Sequence, residues 1–193
     1  MLAGCGGDDA DPSSSGASAT PEASETSTAD PVTDGATAED GSTDAPSFPG
    51  NADPDTAEAS SDALATVSDI RLGRHDGFDR VVFEVGGSGT PGWDVRYVDQ
   101  AVSQGSGDAV EVAGDAVLQV TLTGMGYPYD TGVEEYAGGP LTADETQVVT
   151  EVAFDATYEG TTVAFVGTAG RTPFRVYALE SPARVVVEVA DVG

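Results

Sequence analysis

The chain has 193 residues, a formal net charge of −27, seven arginines and no lysine. A surface this acidic repels the phosphates of nucleic acids and of lipid headgroups, so we expect no nucleic-acid partner. The single histidine and the single cysteine leave too few nitrogen and sulfur ligands for a catalytic zinc site.

The first five residues end at the only cysteine, in Leu2-Ala-Gly-Cys5. Residues 1–5 resemble a bacterial lipobox, in which the cysteine becomes the lipid-modified first residue of the mature protein. The resemblance implies a truncated signal and an anchor to the membrane through the lipid on Cys5, where two or more acyl chains give stable attachment. The alternative is a small free thiol in a flexible tail.

Residues 6–62 consist almost entirely of Ser, Thr, Ala, Gly, Pro, Asp and Glu, and Phe48 is their only aromatic residue. A segment with so little to pack is predicted to be a disordered acidic linker. As a flexible coil of about 57 residues it has a mean reach of roughly 40 Å, which charge repulsion extends. We expect this linker to lift the following domain off the membrane.

The predicted domain, residues 63–193, starts with a β-hairpin. Ile70 and Leu72 alternate with polar residues, and a break that contains glycine separates them from the apolar run at 80–85. This pattern predicts two strands joined by a tight turn. Three polar residues near the turn are expected to brace it or, alternatively, to contact a ligand: Arg74, His75 and Asp79.

Short strands separated by turn residues follow to the end of the chain. They are predicted at 93–98, 109–112, 116–122, 148–155, 161–166, 174–179 and 184–189. Gly114 and Asp115 between two of them predict a second hairpin from 109 to 122. About eight short strands at near-regular spacing predict an all-β domain, an antiparallel β-sandwich or flattened barrel.

A long irregular region between residues 124 and 146 interrupts the strands, and its glycines and prolines exclude a long helix. Loops of this length are uncommon unless they are functional. Tyr127, Tyr129 and Tyr136 lie here beside carboxylates, and such tyrosines suit stacking on sugars and hydrogen bonding to their hydroxyls. They form the candidate ligand surface. The alternative is that they fold back as plugs over the open end of the sandwich.

Two hexapeptides share one pattern, Arg80-Val-Val-Phe-Glu-Val85 and Arg184-Val-Val-Val-Glu-Val189. Together with Pro91-Gly-Trp-Asp-Val-Arg-Tyr-Val98, the blocks around them at 73–85 and 173–189 resemble the AMIN-like domain of bacterial lipoproteins. That family is similar to the AMIN domain of cell-wall amidases and secretin subunits, a β-sandwich that places its host protein on peptidoglycan or at a division septum. The resemblance implies an extracytoplasmic lipoprotein, anchored to the bacterial cell membrane, that binds a cell-wall glycan or an envelope protein.

Motifs for other functions are weak. A serine triad that used His75 lacks its Gly-x-Ser-x-Gly turn, and the Gly-x-Gly-x-x-Gly at 87–92 precedes a strand instead of the helix that a dinucleotide site needs. We therefore expect no catalytic residue, no cofactor and no metal. Two alternatives remain open, a glycan-acting enzyme with paired carboxylates and a transport-accessory lipoprotein with an apolar pocket for a small ligand.

Overall fold

The computed structural model describes residues 45–192, which form ten strands and one four-residue helix. The elements are β1 Asp55–Ala57, β2 Leu64–His75, β3 Phe78–Ser88, β4 Gly92–Val98, β5 Ala116–Thr123, α1 Pro128–Thr131, β6 Leu141–Thr142, β7 Val149–Tyr158, β8 Thr161–Thr168, β9 Phe174–Leu179 and β10 Arg184–Ala190. No helix in this part of the chain is long and apolar enough to cross a membrane. Cys5 and residues 6–44 of the predicted linker lie outside the described residues.

The strands form two antiparallel sheets. One has six strands in the order β1-β4-β5-β8-β7-β6, and the other has four in the order β2-β3-β10-β9. The apolar core draws on both sheets, with Phe83 and Val187 from the smaller sheet and Leu118 and Val166 from the larger one. The predicted all-β antiparallel sandwich is confirmed, with ten strands instead of about eight.

The two similar hexapeptides are neighbours at the centre of the smaller sheet. β3 pairs with β10 so that Phe83 lies opposite Val185 and Val81 lies opposite Val187. Residues directly opposite each other share a face of the sheet, and these four side chains are all buried in the core. The alternation that repeats in the sequence therefore builds one continuous apolar face.

The predicted hairpin from 109 to 122 is wrong. Residues 109–112 form no strand, and only an isolated bridge joins Ala109 to Val102. β5 instead pairs with β4 and β8. The apolar side chains of Val110 and Val112 pack against a small cluster of Ala101, Val163 and Phe165 that is separate from the main core. The alternating residues 109–112 therefore pack on the face of a sheet and do not add a strand to it.

The domain also begins earlier than residue 63, so the predicted linker must be corrected for the residues that the structure describes. β1 adds to the larger sheet, where Asp55 lies opposite Val95. The Asp55 carboxylate accepts hydrogen bonds from Trp93 Nε1 at 2.9 Å and from the backbone N–H of Val176 at 3.1 Å. Val176 belongs to the edge strand of the smaller sheet, so Asp55 connects the two sheets.

A buried carboxylate lies on the side of the smaller sheet that faces away from the core. Val187 and Val189 point into the core, so Glu188 between them points outward, yet it is 0% exposed. It accepts hydrogen bonds from Arg80 Nε and the Tyr177 hydroxyl, both at 2.8 Å, and from Arg175 Nε. Two cations and a hydroxyl thus compensate the loss of water around this charge.

Phe48 covers this cluster. The guanidinium of Arg175 lies 4.1 Å from the centre of the Phe48 ring and donates a hydrogen bond to the carbonyl of Pro46. The Phe48 ring also packs at 5.7 Å from that of Phe78. The only aromatic residue of the predicted linker is therefore part of the domain.

We expect Phe48→Ala to lower the free energy of unfolding by about 1–2 kcal/mol, because a partly buried ring and its cation–π contact are lost. Urea denaturation measures this change. Asn51→Ala, which alters an exposed side chain of the same segment, serves as the control and is expected to change stability little. Equal stability of both variants and the parent would contradict a structural role for Phe48.

Burial, together with the hydrogen bond to Glu188, raises the pKa of Tyr177 to about 12. An unfolded tyrosine titrates near pH 10, so between about pH 10 and 12 the folded state keeps a proton that the unfolded state has lost. The free energy of unfolding should therefore fall as the pH rises through this interval. Tyr177→Phe should show a shallower fall in denaturation curves recorded across it, since the other tyrosines titrate in both proteins and no lysine is present.

Candidate functional site

Tyr127 and Tyr129 form a stacked pair at the surface. Their ring centres are 5.3 Å apart with an angle of 14° between the planes, and Tyr129 is 80% exposed. Pro128 begins α1, and Gly132 ends it in the left-handed conformation at φ 72°, where its N–H bonds the carbonyl of Pro128. This single turn holds the two tyrosines side by side.

Tyr136 does not join them. Its backbone N–H donates to the carbonyl of Val67, and its ring meets that of Phe154 edge-on at 5.6 Å. Its hydroxyl donates to the carbonyl of Gly139 at 3.1 Å. Burial raises the pKa of Tyr136, with a smaller contribution from the charge of Asp69. Tyr136 therefore folds back onto the core, as in the plug alternative.

Tyr158, which lies in the short break between the strands predicted at 148–155 and 161–166, is a further tyrosine near the pair. It is the last residue of β7 and is 46% exposed. Its pKa is raised chiefly by the charge of Glu159, with a smaller contribution from Tyr127. The backbone hydrogen bond from Met125 to Gly160 joins the turn after Tyr158 to the loop that carries the pair. The sequence prediction missed this residue, and the signal that could have found it is a large aromatic residue in the short break between two predicted strands. We call Tyr127, Tyr129 and Tyr158 the tyrosine surface.

Backbone hydrogen bonds hold the loop that carries this surface. Ala65 of β2 donates to Gly124 and accepts from Gly126, and the N–H of Met125 donates to the carbonyl of Gly160 in the β7–β8 turn. The Thr66 hydroxyl donates to the carbonyl of Gly126 at 2.8 Å. The loop is thus fixed to both sheets, and little conformational freedom is lost when a ligand settles on it.

The residues near the hairpin turn separate into three roles. His75 stacks on Phe78 with ring centres 4.9 Å apart and planes within 8°, which is the position that bracing the turn requires. Asp79 is 1% exposed and accepts hydrogen bonds from the backbone N–H groups of residues 147, 148 and 149. It connects the hairpin to the start of β7. Arg74 is exposed and lines a groove.

The space between the sheets is filled by side chains in the part of the chain that the structure describes. Phe83, Leu118 and Val120 are each at most 1% exposed there. The transport alternative requires a deep apolar pocket in this place, and packed side chains occupy it. Residues 45–192 also contain no group of three or more His, Cys, Asp or Glu side chains that is placed to hold a metal ion.

Comparison with known families identifies the domain. The profile of the AMIN-like domain matches residues 65–191. The chain belongs to the AMIN-like domain family. The resemblance carried by the two hexapeptide blocks is thereby confirmed, and it indicates a binding module of the extracytoplasmic cell envelope that associates with the cell wall. Neither curated proteins nor solved structures gave a significant match. The matched range begins within β2, so Phe48 and β1 lie before it.

The different roles of Asp79 and His75 can be separated by mutation. Asp79→Ala leaves two buried backbone N–H groups and one part-buried N–H group without their acceptor, so we expect the free energy of unfolding to fall by about 3 kcal/mol. His75→Ala at the same turn removes a stacking contact and should lower it by at most about 1 kcal/mol. Thermal or urea unfolding of both variants measures the difference. A larger loss in His75→Ala than in Asp79→Ala would contradict these assignments.

Proposed function

We propose that this protein is a non-catalytic, lipid-anchored protein of the cell envelope whose AMIN-like sandwich binds a cell-wall glycan, peptidoglycan, through the tyrosine surface. The observation that carries the proposal is the exposed ring of Tyr129, stacked on the half-buried Tyr127 on a loop fixed to both sheets. Family membership supports the association with the cell wall. The lipobox-like segment around Cys5 supports the anchor.

Aromatic faces suit sugars because the C–H groups on one side of a pyranose ring are apolar, while its hydroxyls remain free for hydrogen bonds. Tyr129 offers such a face to solvent, and the phenols of Tyr127 and Tyr158 add hydroxyls beside it. Asp130 and Glu159 follow two of these tyrosines directly in the chain and supply acceptors for sugar hydroxyls. The tyrosine surface thus combines aromatic rings for stacking with carboxylates that accept hydrogen bonds from sugar hydroxyls.

An envelope protein is the alternative partner. The centre of a protein interface is depleted of charged residues and is closely packed. The tyrosine surface instead places each carboxylate next to an exposed ring. This polarity favours a hydroxyl-rich glycan over an apolar protein patch. Sedimentation with peptidoglycan distinguishes the two partners.

Sedimentation with insoluble peptidoglycan tests the proposal. The parent protein should sediment with the polymer at low and high salt, because stacking, unlike ion pairing, is weakly screened. Tyr129→Ala should weaken binding about fivefold, equivalent to about 1 kcal/mol, and the double variant Tyr127→Ala/Tyr129→Ala should weaken it further. Tyr129→Phe keeps the ring and is the matched control, with nearly unchanged binding.

Two results would contradict the proposal in different ways. If the parent protein stays in the supernatant at every salt concentration, the glycan is the wrong partner and an envelope protein becomes the better explanation. If the parent sediments and the double alanine variant sediments equally well, the glycan is bound by another surface.

A further inference from the structure

A groove opens between the edges of the two sheets, near the turn of the β2–β3 hairpin. One wall is the end of β2, with Leu72 and Arg74, and the other is the segment 142–146 that precedes β7. Its volume is about 350 Å³, within the range of small-ligand sites. The tyrosine surface lies near Leu64 at the other end of β2, so the groove is a separate feature.

Arg74 forms the basic wall, and it makes no ion pair within residues 45–192. Arginines elsewhere in the domain bind carboxylates within 4.0 Å: Arg71, Arg80, Arg96, Arg171 and Arg175. In a chain with a net charge of −27, an exposed guanidinium without a carboxylate partner is unusual. Its planar pair of N–H groups is therefore available to a carboxylate from outside the chain.

Asp144 and Glu145 form the acidic wall. Both side chains are exposed, and neither reaches within ion-pair distance of Arg74. Charges of opposite sign thus face each other across an open gap without closing it. A ligand that carries a carboxylate and an ammonium group can pair with both walls at once, whereas a singly charged ligand is attracted by one wall and repelled by the other.

Asp79 holds the two walls in place. It lies opposite Arg74 in the register of β2 and β3, and its Oδ2 binds three consecutive backbone N–H groups directly after the acidic wall. The backbone of the Arg74 wall and that of the segment after the acidic wall are therefore joined through Asp79. Its second oxygen, Oδ1, is buried without a hydrogen-bond partner among the described residues, which leaves an unused acceptor at this end of the sandwich.

We propose that this groove binds a zwitterionic ligand, either a free amino acid or a short peptide with both ends unblocked. The ligand carboxylate pairs with Arg74, and its ammonium group pairs with Asp144 and Glu145. The inference is independent of glycan binding by the tyrosine surface, because no residue is shared between the two sites.

Titration of the ¹⁵N-labelled protein with alanylalanine, followed by NMR, tests the site. The dipeptide should shift the amide signals of residues 72–74 and 142–149 with a millimolar dissociation constant that rises with salt. N-acetyl-alanylalanine, which lacks the ammonium group, and alanylalanine amide, which lacks the carboxylate, should each bind at least fivefold more weakly.

Variants identify the walls. Arg74→Ala should weaken binding of alanylalanine at least fivefold, whereas Arg71→Ala, on the same strand but paired with Glu84, should leave it unchanged. Asp144→Asn/Glu145→Gln should weaken binding of the free dipeptide but not that of the N-acetyl form, which carries no ammonium group and which the acidic wall repels. An unchanged unfolding midpoint shows that each variant is folded.

The proposal is overturned if alanylalanine shifts no signal in the groove at millimolar concentrations. It is also overturned if Arg71→Ala and Arg74→Ala weaken binding equally, because the attraction would then be a general effect of charge. Equal binding of all three dipeptide forms would show that the groove does not recognise both charges. None of these outcomes affects the sedimentation test of the tyrosine surface.

Discussion

The burial of one carboxylate, that of Glu188, determines much of this fold. The outer face of an antiparallel sheet is commonly solvated, but here Arg80, Arg175 and Tyr177 surround the charge and Phe48 closes over it. Removing one partner from such a cluster leaves a buried charge uncompensated, which makes the arrangement an all-or-none structure. The chain before β1 contributes to this cluster, because Pro46 and Phe48 both contact Arg175 of the smaller sheet before Asp55 joins the larger one.

The class of the fold was predictable because alternation along a strand reports directly which side chains are buried. Prediction from alternation worked best for residues 80–85 and 184–189, because these two segments pair with each other in the sheet and have the same pattern. It failed for 109–112, because Val110 and Val112 are partly buried by packing on the cluster that contains Phe165, and alternation does not distinguish such packing from strand pairing. Composition failed in a similar way before residue 63, since an average over a long polar segment conceals a single Phe48.

The candidate sites were predictable only as far as they depend on local sequence. Tyr127 and Tyr129 lie in a short turn that Pro128 and Gly132 specify, so the exposure of Tyr129 follows from nearby residues. Tyr136 lies in the same polar region, but its ring turns inward because Val67 and Phe154 bind it, and both are distant in the chain. The role of Asp79 could not be predicted from local sequence either, because its hydrogen-bond partners are 68 to 70 residues away in the chain. Such roles require the folded arrangement of the sheets.

Phe48 and the tyrosine surface lie at opposite ends of the sandwich. Phe48 packs on Phe78 at the hairpin turn, whereas the tyrosine loop is bonded to Ala65 near the other end of β2. The twelve residues of β2 separate these ends by about 35 Å at the usual rise of a strand. The two ends of the domain therefore differ. The described chain enters the sandwich at the end marked by Phe48 and presents the exposed ring of Tyr129 at the other end, so the length of the domain separates the two.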